Sequence, residues 1–326
     1  MKALALLSGG LDSALAVKLV KEQGINVVAV NFASPFCLCG KGGCGAAGIA
    51  KQLQISLKTF SLGKDFLQIL KKPKFGYGRN MNPCIDCRIL MFTKAKRYAQ
   101  KIGASFLFTG EVLDERPMSQ HRKALDIIDT EAKLRGKILR PLSARLLPET
   151  EAEKQGWIER EKLLDIEGRS RKKQIELAEK FNITDYPCPA GGCLLTYKEF
   201  AAKVRDLIEH NENLEMREIS LLKTGRHFRL NKNKIIVGRN KDENRRLLTL
   251  KDDDEYIFEV PDCGSPITLL QGPKTKETIE TAAALTARYS DSKEETTTVM
   301  YGDEQMDRTI VISKLDDEKI DGLRIK

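Results

Sequence analysis

The sequence predicts an α/β fold, a parallel-sheet domain followed by a smaller α+β or mostly β module, and three observations carry that prediction. Residues 3–7 form a short apolar run of the kind found in buried parallel strands. A glycine-interrupted turn follows, and residues 11–22 then place Leu15, Val17, Leu19 and Val20 at helical spacing. Gly24 stops that helix and residues 25–32 read as a second strand, which opens a βαβ unit. Beyond about Thr196 the alternation gives way to short strands separated by turn residues.

Between these ends, a Cys- and Gly-rich loop spans residues 37–48, and residues 51–62 are expected to return to the sheet. Residues 71–83, with Pro73, Gly76, Gly78 and Pro83, are irregular; 85–102 read as a helix and 105–109 as a strand. Residues 138–142 read as a further strand, 150–153 open a charged helical stretch, and 171–181 read as a helix. A connecting helix is expected over 200–214, then strands at 227–230, 235–237, 256–260 and 268–270. The tail reads as a helix through Arg288 and strands at 296–301 and 309–312. With 326 residues the chain exceeds one typical core. The expected domains are 1–199, 200–275 and a C-terminal α/β extension, 276–326.

Hydrophobic residues at 41% and charged residues at 31% give an ordinary globular balance, which argues against a disordered chain. No apolar stretch approaches the ~20 residues that span a bilayer. The first apolar run ends at Ser8 and Gly9, too early for a secretory signal. A cytoplasmic protein is expected, and in that compartment its eight cysteines point to metal binding or thiol chemistry rather than a disulfide framework. The net charge of +9 fits a polyanionic partner, nucleic acid first.

Ser8-Gly9-Gly10-Leu11-Asp12-Ser13 lies between strand and helix. Two glycines let backbone approach an anion, and the helix N-terminus supplies free N–H groups and a positive dipole end. The Ser8 and Ser13 hydroxyls add donors, and Asp12, a carboxylate among phosphates, is expected to act through Mg²⁺. The motif lacks the Gly-Lys-Ser/Thr ending of a Walker A loop. It matches the SGGxDS motif of the N-type ATP pyrophosphatases, the PP-loop family, which implies a Rossmann-like sheet, ATP, and adenylation with release of pyrophosphate. Gly110, after a later strand, is expected as the second wall of the nucleotide crevice.

Cys84-Ile85-Asp86-Cys87 leads into a helix, whose N-terminus is expected to lower thiol pKa. Cys188 and Cys193 lie on one downstream loop. Four thiols would suit structural zinc, and three would suit a cubane cluster with one open iron. The chain resembles the tRNA-thiolating branch of the PP-loop family, 2-thiouridylases and 4-thiouridine synthetases. The resemblance rests on Thr109-Gly110-Glu111-Val112-Leu113, Arg116-Pro117-Met118-Ser119-Gln120, Arg140-Pro141-Leu142-Ser143, Gly168-Arg169-Ser170-Arg171 and Pro189-Ala190-Gly191-Gly192-Cys193. With the loop at Ser8 these cover residues 1 to about 200. The resemblance implies that Cys87 and Cys193 are the pair essential to sulfur transfer, and that Cys84, Cys87 and Cys193 hold a 4Fe–4S cluster whose open iron carries the attacking sulfide. Asp114 and Glu115 stand where similar sequences have Gly-Gln. Cys188 is read as a bystander in an apolar turn, with a role as fourth ligand, which would favour zinc, as the alternative. Cys37, Cys39 and Cys44 form a second group, either zinc-binding, redox-sensitive or inert, and Cys263 stands alone.

Between Leu222 and Leu247 there are nine Lys/Arg against two Asp/Glu. This stretch resembles an NFACT-R-like RNA-binding domain, with Arg226, Arg229 and Arg239 as its phosphate contacts; a solvated strand edge is the alternative. Arg169, Arg171, Lys172 and Lys173 would extend the same track. Together these readings predict a tRNA uridine thiolase, a transferase taking ATP to AMP and pyrophosphate, with tRNA and a sulfur donor (sulfide or a cysteine desulfurase product) as partners. A second copy of the chain in a homodimer is left open. The fused module favours 4-thiouridine over 2-thiouridine. The rivals are persulfide chemistry at Cys87 and Cys193 without a cluster, a PP-loop enzyme forming a small amide, and a non-enzymatic zinc- and RNA-binding protein.

Overall fold

The structure, a computed structural model, describes residues 1–38, 45–184, 186 and 192–326. The chain divides into two compact units, Met1–Thr196 and Tyr197–Lys326.

The first unit runs β1 (Lys2–Leu6), α1 (Leu11–Lys21), β2 (Asn26–Ala33), α2 (Ala46–Gln52), β3 (Ser56–Ser61), α3 (Gly63–Lys71), α4 (Cys84–Ile102), β4 (Phe106–Thr109), α5 (Arg122–Glu131), β5 (Ile138–Leu139), α6 (Glu151–Lys154) and α7 (Lys172–Lys180). The strands form a parallel sheet in the order β3-β2-β1-β4-β5. Alternation along β1 sorts its side chains between two cores. Ala3, Ala5 and Leu7 face the core built with α1 and α7; Leu4 and Leu6 face the one built with α4 and α5. Helix α1 is buried on most sides because sheet and α7 both cover it.

The strand order reverses at β1, whose neighbours are β2 on one side and β4 on the other. Loops leaving β1 and β4 therefore open a crevice at the carboxyl ends of the strands, where ligands bind in such sheets. Two expectations are corrected. Residues 51–52 belong to α2, and β3 begins only at Ser56. The strand expected over 138–142 ends at Leu139, because Arg140 turns its side chain to Glu111 and Asp129, and Ser143 N–H closes a turn on Arg140 O (2.9 Å).

The second unit comprises α8 (Lys198–His210), α9 (Met216–Leu222), β6 (Arg226–Leu230), β7 (Asn233–Val237), α10 (Lys241–Leu250), β8 (Tyr256–Glu259), β9 (Thr268–Gln271), α11 (Lys276–Arg288), β10 (Thr296–Gly302), β11 (Arg308–Ser313) and α12 (Asp317–Leu323). Its sheet is antiparallel, in the order β11-β10-β8-β9-β7-β6. Ile235 and Val237 pack with α11 on one face, while Ile236 packs with Leu221 and Leu247 on the other. Residues 276–326, expected as a separate extension, complete this sheet and core: β10 pairs directly with β8, and Val299 and Ile320 lie in the same cluster as Phe258. Among the described residues no helix is long and apolar enough to cross a membrane.

Candidate functional site at the strand switch point

The loop after β1 is built for close approach. Gly9 has φ +84°, and a Cβ there would stand 2.3 Å from Ala46 N, so only glycine fits. Gly10 is the N-cap of α1 and has no side chain to occupy the first-turn N–H groups, which stay available to an anion. Ser13 Oγ donates to Gly10 O (2.8 Å) and Ser8 Oγ to Ser13 Oγ (3.2 Å), so both hydroxyls turn into the loop. From the other side Gly110 presses on the same turn: a Cβ on it would lie 2.4 Å from Ser13 N and 2.5 Å from Asp12 O. The two walls expected from the sequence are thus in contact.

Asp12 stands at the centre. Its Oδ2 accepts from Arg171 Nη2 (3.3 Å), and the same nitrogen donates to Glu115 Oε1 (2.7 Å). Asp12 Oδ1 is buried with no hydrogen-bond partner among the described residues. Burial, and then the Glu115 carboxylate, push the Asp12 carboxyl above its ordinary range against the pull of Arg171. A carboxylate oxygen buried and unmatched beside a second acid is a donor set suited to a hard divalent cation, so Asp12 fits Mg²⁺. Arg171, grouped by sequence with a phosphate track, instead serves Asp12 and Glu115.

The segment after Gly110 is fixed from below by a buried ion network. Arg140 donates to Glu111 Oε2 (3.1 Å) and bidentately to Asp129 (2.9 and 2.7 Å); Arg88 Nε lies 3.4 Å from Glu111 Oε1. Ser143 Oγ accepts from Leu113 N (2.9 Å) and donates to Ile166 O (2.6 Å), and Gly168 N donates to Leu113 O (2.8 Å). The scattered Arg-Pro-Leu-Ser and Gly-Arg-Ser-Arg segments therefore converge on one loop. Sequence reasoning did not single out Glu111, Asp129 or this role of Arg140; Glu111 and Arg140 lie within the resemblance segments, whereas Asp129 carried no sequence signal.

The cysteines come to the same end of the sheet. α4 leads into β4, so its N-terminus lies at the carboxyl ends of the strands. Cys84 is its first residue and Cys87 follows one turn on. Cys193 is brought there by Met81 N–H on Leu195 O (3.2 Å) and Asn80 Nδ2 on Thr196 O (2.7 Å). Asn82 Nδ2 donates to Cys84 Sγ (3.2 Å). The Cys87 thiol is enclosed, and burial pushes it up to about 12; Arg88 draws it down while Cys193 and Cys84 raise it further. The lowering expected from the helix N-terminus is therefore overturned, because desolvation of the thiolate outweighs the dipole.

Cys84, Cys87, Cys193 and Cys263 are thiols, whereas Cys37 is disulfide-bonded. Among the described residues no three Cys, His, Asp or Glu gather closely enough to hold a single metal ion. A cubane makes a different demand, since each thiolate binds a separate iron. Cys87, close enough to feel the charge of both Cys84 and Cys193, forms with them a three-thiol set that fits such a group. Cys39, Cys44 and Cys188 lie outside the described residues.

In the second unit the three expected phosphate contacts are engaged locally. Arg229 binds Asp206 bidentately (2.8 and 2.6 Å), Arg239 binds Glu243, and the Arg226 guanidinium sits 4.5 Å from the Tyr289 ring centre. The aromatic side chains of β8 and β10 pack against the core covered by α11, where Phe258 is fully buried. Phe258 and Tyr301 stack at 5.3 Å, and Arg308 and Lys274 sit over Tyr256 at 5.2 and 5.5 Å.

Beneath β6, His227 is fully enclosed and shares a ring hydrogen bond with Thr224 O (2.9 Å). Burial, with Lys203 and Lys234 nearby, holds its pKa well below 6.5. The folded state therefore keeps His227 neutral while the unfolded chain takes up a proton. Stability from this group is complete above about pH 6.5 and falls with acidification, by up to ~1.4 kcal/mol per pH unit. Hydrogen exchange of β6 and β7 in the full chain between pH 7.5 and 5 is expected to show that fall, flattened in His227→Gln. An unchanged slope in the variant would locate the acid sensitivity elsewhere.

Fold and loop together define the class, a parallel-sheet α/β domain with a Ser-Gly-Gly-Leu-Asp-Ser loop at its strand switch point, followed by a second unit with an antiparallel sheet. More particularly, residues 1–145 match the family described as thiamine biosynthesis protein (ThiI), and residues 225–323 match the NFACT protein RNA binding domain. The tRNA-specific 2-thiouridylase MnmA of Pelobacter propionicus is 33% identical over 117 residues, 34% of this chain and 33% of that protein. The MnmA of Dichelobacter nodosus is 29% identical over 130 residues, 36% of this chain and 35% of its own. The chain thus spans about a third of the length of the curated relatives it matches. Among solved structures, a 4-thiouridine synthetase–RNA complex with bound ATP aligns at TM-score 0.36 and 21% identity, over 64% of this chain and 50% of that one. The U34-tRNA thiolase NcsA of Methanococcus maripaludis with its 4Fe–4S cluster aligns at TM-score 0.38 and 20% identity, over 64% and 65%. The resemblance read from the sequence, PP-loop tRNA-thiolating enzymes with an NFACT-R-like domain, is borne out by the family and relative matches.

Proposed function

We infer that this chain is a tRNA sulfurtransferase that spends ATP to activate a uridine carbonyl and replaces its oxygen with sulfur. One observation supports this reading: the Arg88–Glu111 contact joins the neighbour of Cys87 to the neighbour of Gly110, which brings the helix carrying the thiols to the segment that packs on the Ser8–Ser13 loop. The N–H groups at the start of α1 and the Ser8 and Ser13 hydroxyls would bind the phosphates. Asp12 would hold Mg²⁺, which when bound neutralises phosphate charge. The uridine oxygen attacks the α-phosphorus, pyrophosphate leaves, and a sulfur nucleophile then displaces AMP from the activated carbon. Positioning does most of this work. Cys84, Cys87 and Cys193 would hold a 4Fe–4S cluster, which when bound presents sulfur for that displacement. The second unit would position tRNA by contacts to its backbone.

A second reading keeps the reaction and omits the cluster, with Cys87 and Cys193 alternating as persulfide and resolving thiol; their closeness favours it, while the raised Cys87 pKa opposes formation of the thiolate. The RNA-binding module favours 4-thiouridine as product, and the 2-thiouridylase relatives are the support for the 2-thio isomer.

Anaerobic purification with iron and sulfide analysis tests the reading, together with nucleoside analysis of an unmodified tRNA after reaction. Iron and sulfide lost in each of Cys84→Ala, Cys87→Ala and Cys193→Ala, with a thiouridine product, is the expected result. Thiolation by metal-free protein would move the conclusion to persulfide chemistry; no thiouridine under either condition would sink both. Gly110→Ala is expected to abolish nucleotide binding in calorimetry, because its Cβ would drive apart the Asp12 and Ser13 backbone. Undiminished ATP affinity would show that this wall is not part of the site.

A further inference from the structure

We propose that Cys37 and Cys193 form a thiol–disulfide exchange site whose reaction partners are dithiols and small disulfides. Residues 36–38 run antiparallel to residues 192–194. Leu38 N–H donates to Gly192 O (3.2 Å), Leu194 N–H donates to Phe36 O (2.8 Å), and Cys37 and Cys193 are the directly opposed pair. Both hydrogen bonds flank the pair instead of joining it. This is the non-hydrogen-bonded arrangement, in which opposed Cα atoms stand about 4.5 Å apart and side chains approach most closely. That separation falls inside the ~4.4–6.8 Å range that a disulfide spans. Cys193 is a thiol and Cys37 already holds a disulfide.

In the reduced chain the oxidant is a small disulfide. The Cys193 thiolate attacks one of its sulfurs, and the other leaves as a thiolate and takes a proton. The Cys37 thiolate then attacks Cys193 Sγ, so that the Cys37–Cys193 bond forms and the second thiol is released. An external dithiol reverses the state: its first sulfur attacks Cys193 Sγ, its second closes on the first, and two protons and two electrons pass to Cys37 and Cys193. Cys193 therefore stands between two sulfur environments, Cys37 across the strand pair and Cys87 across the pocket. Bonded to Cys37, it is withdrawn from the Cys84 and Cys87 set, and that set cannot hold a three-thiolate cluster. This consequence rests on the function inferred above; the exchange itself does not.

The test uses the full chain, reduced without oxygen and then treated with oxidised glutathione. Unreduced peptides, with the linked cysteines located by fragmentation, are expected to show Cys37–Cys193 as the main new link. Uptake of ferrous iron and sulfide is expected to fall at least 10-fold and to return with a dithiol, while Cys37→Ser and Cys37→Ala retain it after the same treatment. Absence of the Cys37–Cys193 link in the wild type overturns the proposal, whatever the variants do. Full iron uptake by protein carrying the link overturns the withdrawal of Cys193. A link that forms in protein unable to take up iron even when reduced upholds the exchange site and sinks the cluster reading instead.

Discussion

Asp12→Asn is expected to lower tRNA-dependent release of pyrophosphate from ATP by about 10²-fold or more, a loss of roughly 3 kcal/mol of transition-state stabilisation. The fold should not share in that loss. The Asp12 carboxylate is buried, faces Glu115, and leaves Oδ1 unmatched. Its raised pKa means that ionisation is less favourable in the folded state than in the unfolded chain, so the charge at neutral pH costs stability. An amide relieves the repulsion from Glu115 and gives up part of the Arg171 contact. A melting temperature equal to or above that of the wild type is therefore expected alongside the lost turnover. Such a split is what a residue kept for chemistry shows, since strain held at a site is released when the site is abandoned. Retained turnover, or a large drop in melting temperature, would assign Asp12 a structural role.

Arg140→Met should act in the opposite sense, mainly on the fold. Arg140 is 5% exposed and binds Glu111, which is 1% exposed, and Asp129. Removing the guanidinium leaves two enclosed carboxylates without their main counter-ion, a change that costs about 3–5 kcal/mol. At roughly 2–4 °C per kcal/mol for a unit of this size, the first unit should melt roughly 10 °C lower. Arg140→Lys is expected to restore little, because one ammonium cannot reproduce the fork that reaches Asp129 through two nitrogens and Glu111 through a third. Adding Glu111→Leu and Asp129→Leu to Arg140→Met should recover much of the loss, since a well-packed apolar triad avoids the desolvation cost. A melting temperature within 2 °C of wild type for Arg140→Met, on the order of 0.5–1 kcal/mol by the same scaling, would show that solvent reaches the carboxylates and screens them.

Much of the first unit was legible because its signals are local. The two-residue alternation of β1, the Ser-Gly-Gly turn and the apolar helix after it are properties of a dozen consecutive residues, and they place Asp12 at a helix start next to a strand end. Cys84 and Cys87 are likewise read directly as a pair on one helical turn. Helix α10 was less visible. Only Leu247 is buried, so its apolar periodicity is weak, and the Asn240 cap with Asp242 and Glu243 in the first turn was its one clear sign. The strand expected over 138–142 failed for a different reason: an apolar run cannot show that Arg140 will turn toward acids 11 and 29 residues away.

By itself, then, the sequence determined the Ser-Gly-Gly loop, the thiols, the parallel βαβ start and the basic character of the second unit. All of these follow from which residues are adjacent. Tertiary structure decided the pairings between distant segments: Arg171 with Asp12, Arg140 with Glu111 and Asp129, and Cys37 opposite Cys193. It also paired Arg229 with Asp206 and Arg239 with Glu243, two of the arginines expected to contact phosphate. Charge and sulfur chemistry depend on distance and burial, and both are set by how the sheet orders its strands rather than by spacing along the chain. The Cys87 thiol shows this most directly: its position on the helix predicted a lowered pKa, and its enclosure reversed the sign.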